Sequence, residues 1–372
     1  MNFRRGDIAV ALTAIAGAVA LFLPLGAAGG WPRQDMLLWI AALIVAILPA
    51  LDYLAGPASS LLALLGAIMG GAALYGLVDA GARGIHAPGL WLGIIVLAIL
   101  AWRAMAAAAS LAVAYKSNLL HLAAPILLGV WAIFMWQVLT VGFDIPRVLL
   151  PPPSDIAVAM VGSAHDLMLD FVQTFIRAMI PGYLIGCGAG FIVGVLVDRV
   201  PFLQRGLLPL GNLVSALPVV AVAPIMVMWF GFDWQSKAAV VVIMTFFPML
   251  VSTIAGLAAL SRIELDLMRT YAASYGQTLW KARLQAAMPF IFNALKINST
   301  LALIGAIVAE FFGTPVVGMG FRISTEVGRM NISMVWATIV VAAVTGSAAY
   351  GGLALMERIV TFWHPSLRKV AS

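Results

Sequence analysis

Long apolar runs, each close to the length of a membrane-spanning helix, dominate the pattern of this chain. A helix needs about 20 mostly apolar residues to cross a lipid bilayer. Transmembrane barrel strands would instead alternate apolar and polar residues over about ten positions, and the runs do not alternate in this way. The pattern therefore predicts an all-α integral membrane protein with about ten spanning helices, at roughly 7–28, 36–55, 59–79, 89–114, 119–141, 171–197, 207–231, 238–260, 290–313 and 333–360.

Composition narrows the function classes. Of the 372 residues, 63% are hydrophobic and 10% are charged, whereas a soluble domain carries about 25% charged residues. This balance excludes a soluble enzyme, a nucleic-acid-binding domain and a disordered protein, and it makes the lipid bilayer the surrounding partner. The single cysteine, Cys187, excludes an internal disulfide and a multi-cysteine metal site. The four histidines are far apart in sequence, so we expect no metal site.

The distribution of basic residues predicts the orientation. Cytoplasmic loops of membrane proteins are enriched in Lys and Arg. With the N-terminus inside, about twice as many basic residues fall on the cytoplasmic side as on the other side. We therefore expect both termini in the cytoplasm and an even number of spans. In the alternative, the first apolar run after Arg4 and Arg5 is a cleaved signal peptide, although that run is longer than usual for one.

The character of the chain changes near residues 116–118. Residues 1–116 are Ala-, Leu- and Gly-rich spans joined by short loops, and they predict an accessory segment of about four helices. Residues 117–372 predict a second domain of about six helices, which contains one long cytoplasmic loop at 261–289. Apolar residues recur at helical spacing on both sides of Gly276. This predicts two short amphipathic helices meeting at that glycine, with an ordinary interfacial connector as the alternative.

The 261–289 segment resembles the coupling motif of ABC-importer permeases, which reads E-A-A, three residues, G, nine residues, I-x-L-P. Gly276 and Pro289 have the spacing of the motif's glycine and proline, and Ala272 matches its second alanine, while Thr270 stands in place of the glutamate. In that family the motif contacts the ATPase. The resemblance therefore implies an ATPase-coupling loop that includes Tyr271, Ala272, Ala273, Gly276, Trp280 and Pro289.

Four further blocks resemble the nitrate/sulfonate/taurine-type permeases of ABC importers: 150–156, 217–231, 304–313 and 318–320. The resemblance implies a homodimeric subunit of the bacterial inner membrane that works with a cytoplasmic ABC ATPase and a periplasmic solute-binding protein. It also implies a type I importer-like core and a small polar or anionic solute, such as nitrate, a sulfonate, taurine, bicarbonate, a pyrimidine precursor or an aromatic acid.

The chain contains no G-x-x-x-x-G-K-[S/T] phosphate loop. We therefore expect no catalytic residues and no directly bound cofactor, with ATP-Mg bound and hydrolysed on the partner ATPase.

A few residues in the spans are candidates for the translocation path. Glu310 is an acidic residue within a span, where carboxylates usually face a cavity or a cation. It is either a pathway-lining or gate-stabilising residue or the structural partner of Arg177. Pro218 and Pro224 interrupt the seventh span and either bend a pore-lining helix or belong to a tilted structural one.

Two other function classes stay open at the level of sequence. The chain could be an ion-coupled secondary transporter that uses Glu310, or a membrane scaffold without transport activity.

Overall fold

A computed structural model describes residues 5–25, 29–47, 57–84, 86–115, 122–200, 218–313 and 316–363, together with a few residues between 202 and 209. Every regular element in these ranges is helical, which confirms the predicted fold class. The expected domain boundary at 116–118 and Leu217, the first residue of one family-like block, lie outside the described residues.

The helices are numbered in chain order. They are α1 (Arg5–Phe22), α2 (Arg33–Ile47), α3 (Pro57–Asp79), α4 (Pro88–Tyr115), α5 (Ala123–Gly142), α6 (Pro153–Gly162), α7 (Ala164–Asp198), α8 (Val219–Phe230), α9 (Trp234–Ala258), α10 (Arg262–Thr270), α11 (Tyr275–Glu310), α12 (Met319–Gly328) and α13 (Ile332–Val360). Two of them contain a π-helical segment, Val172–Met179 in α7 and Leu279–Arg283 in α11.

Seven helices among the described residues are long and apolar enough to cross a bilayer. They are α3, α4, α5, α7, α9, α11 and α13, and they correspond to seven of the ten predicted spans. The predicted seventh span is represented by α8, which has only 12 residues. Pro218 precedes α8 as its N-cap residue rather than interrupting it, and Pro224 lies inside the helix.

The chain forms two compact units, Met1–Ile156 and Ala157–Ser372. In the first unit, Trp39, Leu74, Leu97 and Val138 bury their side chains in one apolar core. Val138 belongs to α5, so this helix packs within the first unit. The structural division therefore follows α5, whereas the sequence analysis grouped that helix with the second domain. The boundary of the transport domain itself stays a prediction.

The core of the second unit is built on close packing of α7 against α9. Four glycines of α7 lie at intervals of four residues on one buried face: Gly182, Gly186, Gly190 and Gly194. A Cβ atom on any of them would collide with α9; at Gly194, for example, it would lie 2.8 Å from Cβ of Thr253. The stripe therefore serves packing within one chain, because only glycine lets the two backbones approach this closely.

Candidate functional site

The predicted coupling loop, residues 261–289, contains two helices whose N-termini are both closed by side chains. The Ser261 hydroxyl accepts from the Glu264 N–H at 3.3 Å, and a Glu264 carboxylate oxygen accepts from the Ser261 N–H at 2.9 Å. Ser274 and Gln277 make the same reciprocal pair at the start of α11. The Ser261 hydroxyl also donates to the Glu264 carboxylate at 2.7 Å, and this bond together with the one from the Ser261 N–H lowers the pKa of Glu264. The S-x-x-E and S-x-x-Q spacing of such capping boxes is visible in the sequence, so this was a signal that the sequence analysis missed.

The turn between these helices is made by Ala272 and not by Gly276. Ala272 has a φ of 51°, and its N–H donates to the Arg269 carbonyl while the Ala273 N–H donates to the Met268 carbonyl. This is the Schellman geometry that ends many helices, usually with glycine at the left-handed position. Gly276 lies inside the first turn of α11, and nothing in the chain lies within 4 Å of the position of a Cβ there. The two helices therefore meet at Ala272 and Ala273, and the prediction that they meet at Gly276 was wrong.

The outer face of the coupling loop carries apolar side chains that the chain itself leaves uncovered. Tyr271 is 77% exposed and Trp280 is 69% exposed. Ile263 and Leu267 of α10 are exposed as well, and so are the charged side chains of Arg269 and Asp266, which pair with each other at 3.1 Å. Exposed apolar residues rimmed by charges are typical of a protein contact surface.

Arg283 fastens the loop to the transmembrane helices. Its guanidinium donates to both carboxylate oxygens of Asp198 at 2.6 and 2.9 Å, and its Nε donates to the Leu257 carbonyl at 3.1 Å. These contacts bury most of the Arg283 side chain, which is only 19% exposed. The arginine fork joins the C-terminal ends of α7 and α9 to the start of α11. We call these contacts the inner tie.

Tyr275 adds to the inner tie. Its hydroxyl donates to Asp198 at 3.4 Å, and the Arg199 guanidinium lies 5.2 Å from the centre of its ring. Such a cation–π contact is worth about 0.5–1 kcal/mol at an exposed site. Asp198 therefore serves as the common anchor for two residues of the coupling loop.

A second polar network surrounds Glu310 at the opposite end of α11. The buried Glu310 carboxylate accepts from the Thr174 hydroxyl at 2.9 Å and from the Gly320 N–H at 2.8 Å. The Thr174 oxygen accepts in turn from the Met319 N–H at 2.8 Å. We call these contacts the outer tie.

Asp170 completes the outer tie. One of its oxygens accepts from the Gly318 N–H at 2.8 Å, and the other accepts from Arg322 Nε at 2.7 Å. Three consecutive backbone N–H groups at the start of α12 are thus bonded to buried side chains. A Cβ at Gly318 would lie 2.7 Å from the Glu310 carboxyl group, which explains why this turn is built with glycine.

The outer tie corrects one interpretation of Glu310. Arg177 was the expected structural partner, yet its side chain is exposed, and among the described residues no ion pair joins it to Glu310. Glu310 is instead bonded to a hydroxyl and a backbone N–H. The arrangement stabilises the turn between α11 and α12. Its participation in transport stays a prediction, as does that of Pro218 and Pro224.

Two contacts join α7 to α11 between the inner and outer ties. The Tyr183 hydroxyl donates to the Leu295 carbonyl at 3.0 Å, and the Asn298 amide donates to Cys187 Sγ at 3.3 Å. Asn298 is fully buried, and its amide also donates to the Thr245 carbonyl of α9 at 2.9 Å.

No group of His, Cys, Asp and Glu side chains in the described part of the chain could hold a metal ion.

Part of the chain is similar to known protein families and to individual transport proteins. Residues 182–362 match the family described as binding-protein-dependent transport system inner membrane component. A probable ABC transporter permease protein of Haemophilus influenzae is 28% identical over 60% of this chain and 90% of its own length. The formylaminopyrimidine transport permease of Halalkalibacterium halodurans is 29% identical over 58% of this chain and 86% of its own. The taurine transport permease of Escherichia coli is 26% identical over 64% and 87%, respectively.

Proposed function

We propose that this chain, whose residues 182–362 match the binding-protein-dependent transport permeases, is the membrane subunit of an ABC importer and moves a small polar or anionic solute into the cytoplasm as one half of a homodimer. In this proposal a separate ABC ATPase hydrolyses ATP on the cytoplasmic side, and a periplasmic binding protein delivers the solute. Both termini lie in the cytoplasm, and the membrane is a bacterial inner membrane.

The names of the relatives support the solute class. Formylaminopyrimidine and taurine are small polar molecules, and other relatives are named for bicarbonate and glycine betaine transport. The solutes in these names differ in charge and in ring structure, so the permease core suits several solutes. We propose that the binding protein, rather than this chain, selects among them.

The proposed contact with the ATPase rests on one observation, the geometry of the coupling loop. Two capped helices hold Tyr271 and Trp280 out from the chain, and the inner tie fixes the loop to α7 and α9. Gly276 has open space around it in the isolated chain. We therefore propose that the missing side chain matters for a partner surface that approaches the α11 N-terminus closely.

Gly276→Leu tests this contact. The variant should reach the membrane and dimerise like the wild type, because nothing in its own chain lies within 4 Å of a Cβ at this position. It should lose most of the ABC ATPase that copurifies with the wild-type protein. Copurification from detergent-solubilised membranes, with the ATPase quantified per permease, is the measurement.

Gly351→Leu is the matched control. Gly351 also has nothing within 4 Å of its Cβ position, and it lies in α13, outside the coupling loop. This variant should keep the ATPase. Wild-type levels of ATPase on Gly276→Leu would remove Gly276 from the contact surface, and a wild-type protein that captures no ATPase at all would contradict the proposed function.

A further inference from the structure

The inner and outer ties connect the same two helices. The inner tie joins Asp198, at one end of α7, to Arg283 near the start of α11. The outer tie joins Thr174 of α7 to Glu310, the last residue of α11. The contacts of Tyr183 and Asn298 lie between them. The two helices are therefore fastened to each other at the inner end, the middle and the outer end.

Both helices are long enough to connect the two sides of the bilayer. They contain 35 and 36 residues, which corresponds to about 50 Å at the α-helical rise, against a hydrocarbon core of about 30 Å. Between their ends, the glycine stripe of α7 packs backbone to backbone on α9. Close-packed interiors of this kind have low compressibility and transmit strain.

The ties differ in strength from ordinary surface contacts. The Asp198 side chain is 7% exposed and is bonded bidentately by Arg283, whose planar fork fixes the geometry as well as the charge. By contrast, the Arg269–Asp266 pair of the same loop is 80% and 68% exposed, so it contributes little. The inner tie is thus the buried charged connection between the loop and α7.

We infer that α7 and α11 move as one frame, which carries displacement of the coupling loop to the external turn at Gly318–Gly320. Asp198 and Arg283 are the positioning residues that hold the register of the two helices at the inner end. Thr174 and Asp170 transfer the movement to the turn at the outer end. This inference rests on the proposed function, since an ATPase seated on the coupling loop supplies the displacement.

The test measures movement of the external turn at Gly318–Gly320 while ATP acts on the ATPase at the cytoplasmic side. The full permease is purified with its copurifying ATPase, reconstituted in lipid and labelled with a nitroxide at Val316→Cys, an exposed position next to the turn. Cys187 is buried, and the chain without Val316→Cys, treated with the same nitroxide, controls for its reaction. The spectrum of the labelled Val316→Cys protein, otherwise wild type, should change when Mg-ATP and vanadate are added.

Asp198→Asn and Arg283→Gln break the inner tie. The spectra are compared at equal amounts of ATPase per permease, and in both variants the nucleotide-dependent change at Val316→Cys should fall at least about fivefold, the lower end of usual coupling between sites. The exchange of both charges, Asp198→Arg with Arg283→Asp, should restore part of the change. Asp266→Asn, in the exposed pair, should leave it as in the wild type.

The outer end has its own pair of variants. Thr174→Val keeps the shape of the side chain and removes the hydroxyl that bonds Glu310 and Met319, so the change at Val316→Cys should be lost. Thr174→Ser keeps the hydroxyl and should retain the change. Should Arg283→Gln fail to fold, Arg283→Lys keeps the charge without the bidentate geometry and should give a reduced change.

Two results would overturn the inference. The first is a full spectral change at Val316→Cys in variants without the inner tie. The second is loss of the ATPase from those variants, which would make the ion pair a support for the docking surface only. Failure of the proposed function is distinguishable, because then the wild-type protein captures no ATPase.

Discussion

At the scale of single residues, Glu310 is a buried carboxylate that is hydrogen-bonded within its own chain. It accepts hydrogen bonds from Thr174 and Gly320. Glu310→Gln keeps one oxygen for these donors and replaces the other with an amide group that donates, so one acceptor is lost, at a cost of about 0.5–1.5 kcal/mol. We expect near-normal membrane abundance and a melting temperature lowered by a few degrees.

Glu310→Ala provides the comparison. It leaves the Thr174 hydroxyl and the Gly320 N–H without their acceptor in a buried site, and each unsatisfied group costs about 1–3 kcal/mol. The variant should therefore be less abundant and should melt well below Glu310→Gln. Equal melting temperatures of wild type, Gln and Ala variants in detergent would show that the outer tie does not stabilise the protein.

At the scale of the elements, the glycines of α7 differ in their surroundings. Two alanine variants distinguish a glycine needed for packing from one that is not. A Cβ at Gly190 would meet the Phe246 carbonyl oxygen and would lie 2.9 Å from Cβ of Met249, whereas a Cβ at Gly188 meets nothing. Gly190→Ala should destabilise the protein by about 1–3 kcal/mol through overpacking. Gly188→Ala should be neutral or slightly stabilising, because alanine favours the helix by about 0.5–1 kcal/mol.

Thermal unfolding of the two alanine variants, measured in the same detergent, decides between these roles. The prediction requires the Gly190 variant to melt below the wild type and the Gly188 variant to melt at or above it. Equal effects would mean that spacing along α7 does not matter. Such a result would contradict the intrachain origin of the glycine stripe.

The same scale shows why parts of the site could be predicted and others could not. The spans and the amphipathic helices around Gly276 follow from local periodicity, and the two capping boxes are four-residue patterns that could also have been found. The ties are different. Arg283 meets a residue 85 positions away, and Thr174 meets one 136 positions away. Each of these two residues lies in a π-helical segment, which the apolar periodicity did not predict.

At the scale of the whole molecule, the described fold agrees with the predicted membrane-protein class but divides differently along the chain. Composition alone was enough to exclude a soluble protein, and the apolar runs located the seven long spans. The division was harder because it depends on packing between segments. Val138 of α5 is buried with Leu74 and Leu97, and nothing in the composition of α5 indicates which neighbours it has.

The last prediction concerns the accessory role of residues 1–116. The match to the Haemophilus influenzae relative covers 90% of that protein and only 60% of this chain, so that relative is the shorter of the two proteins. A chain that starts near Lys116 should still capture the ATPase, because the coupling loop and both ties lie in Ala157–Ser372. It should melt at a lower temperature, since α5 loses the apolar partners of its Val138. Copurification and thermal unfolding measure the two effects separately. A truncated chain that melts like the full one but captures no ATPase would contradict the accessory assignment and would place residues 1–116 within the coupling machinery.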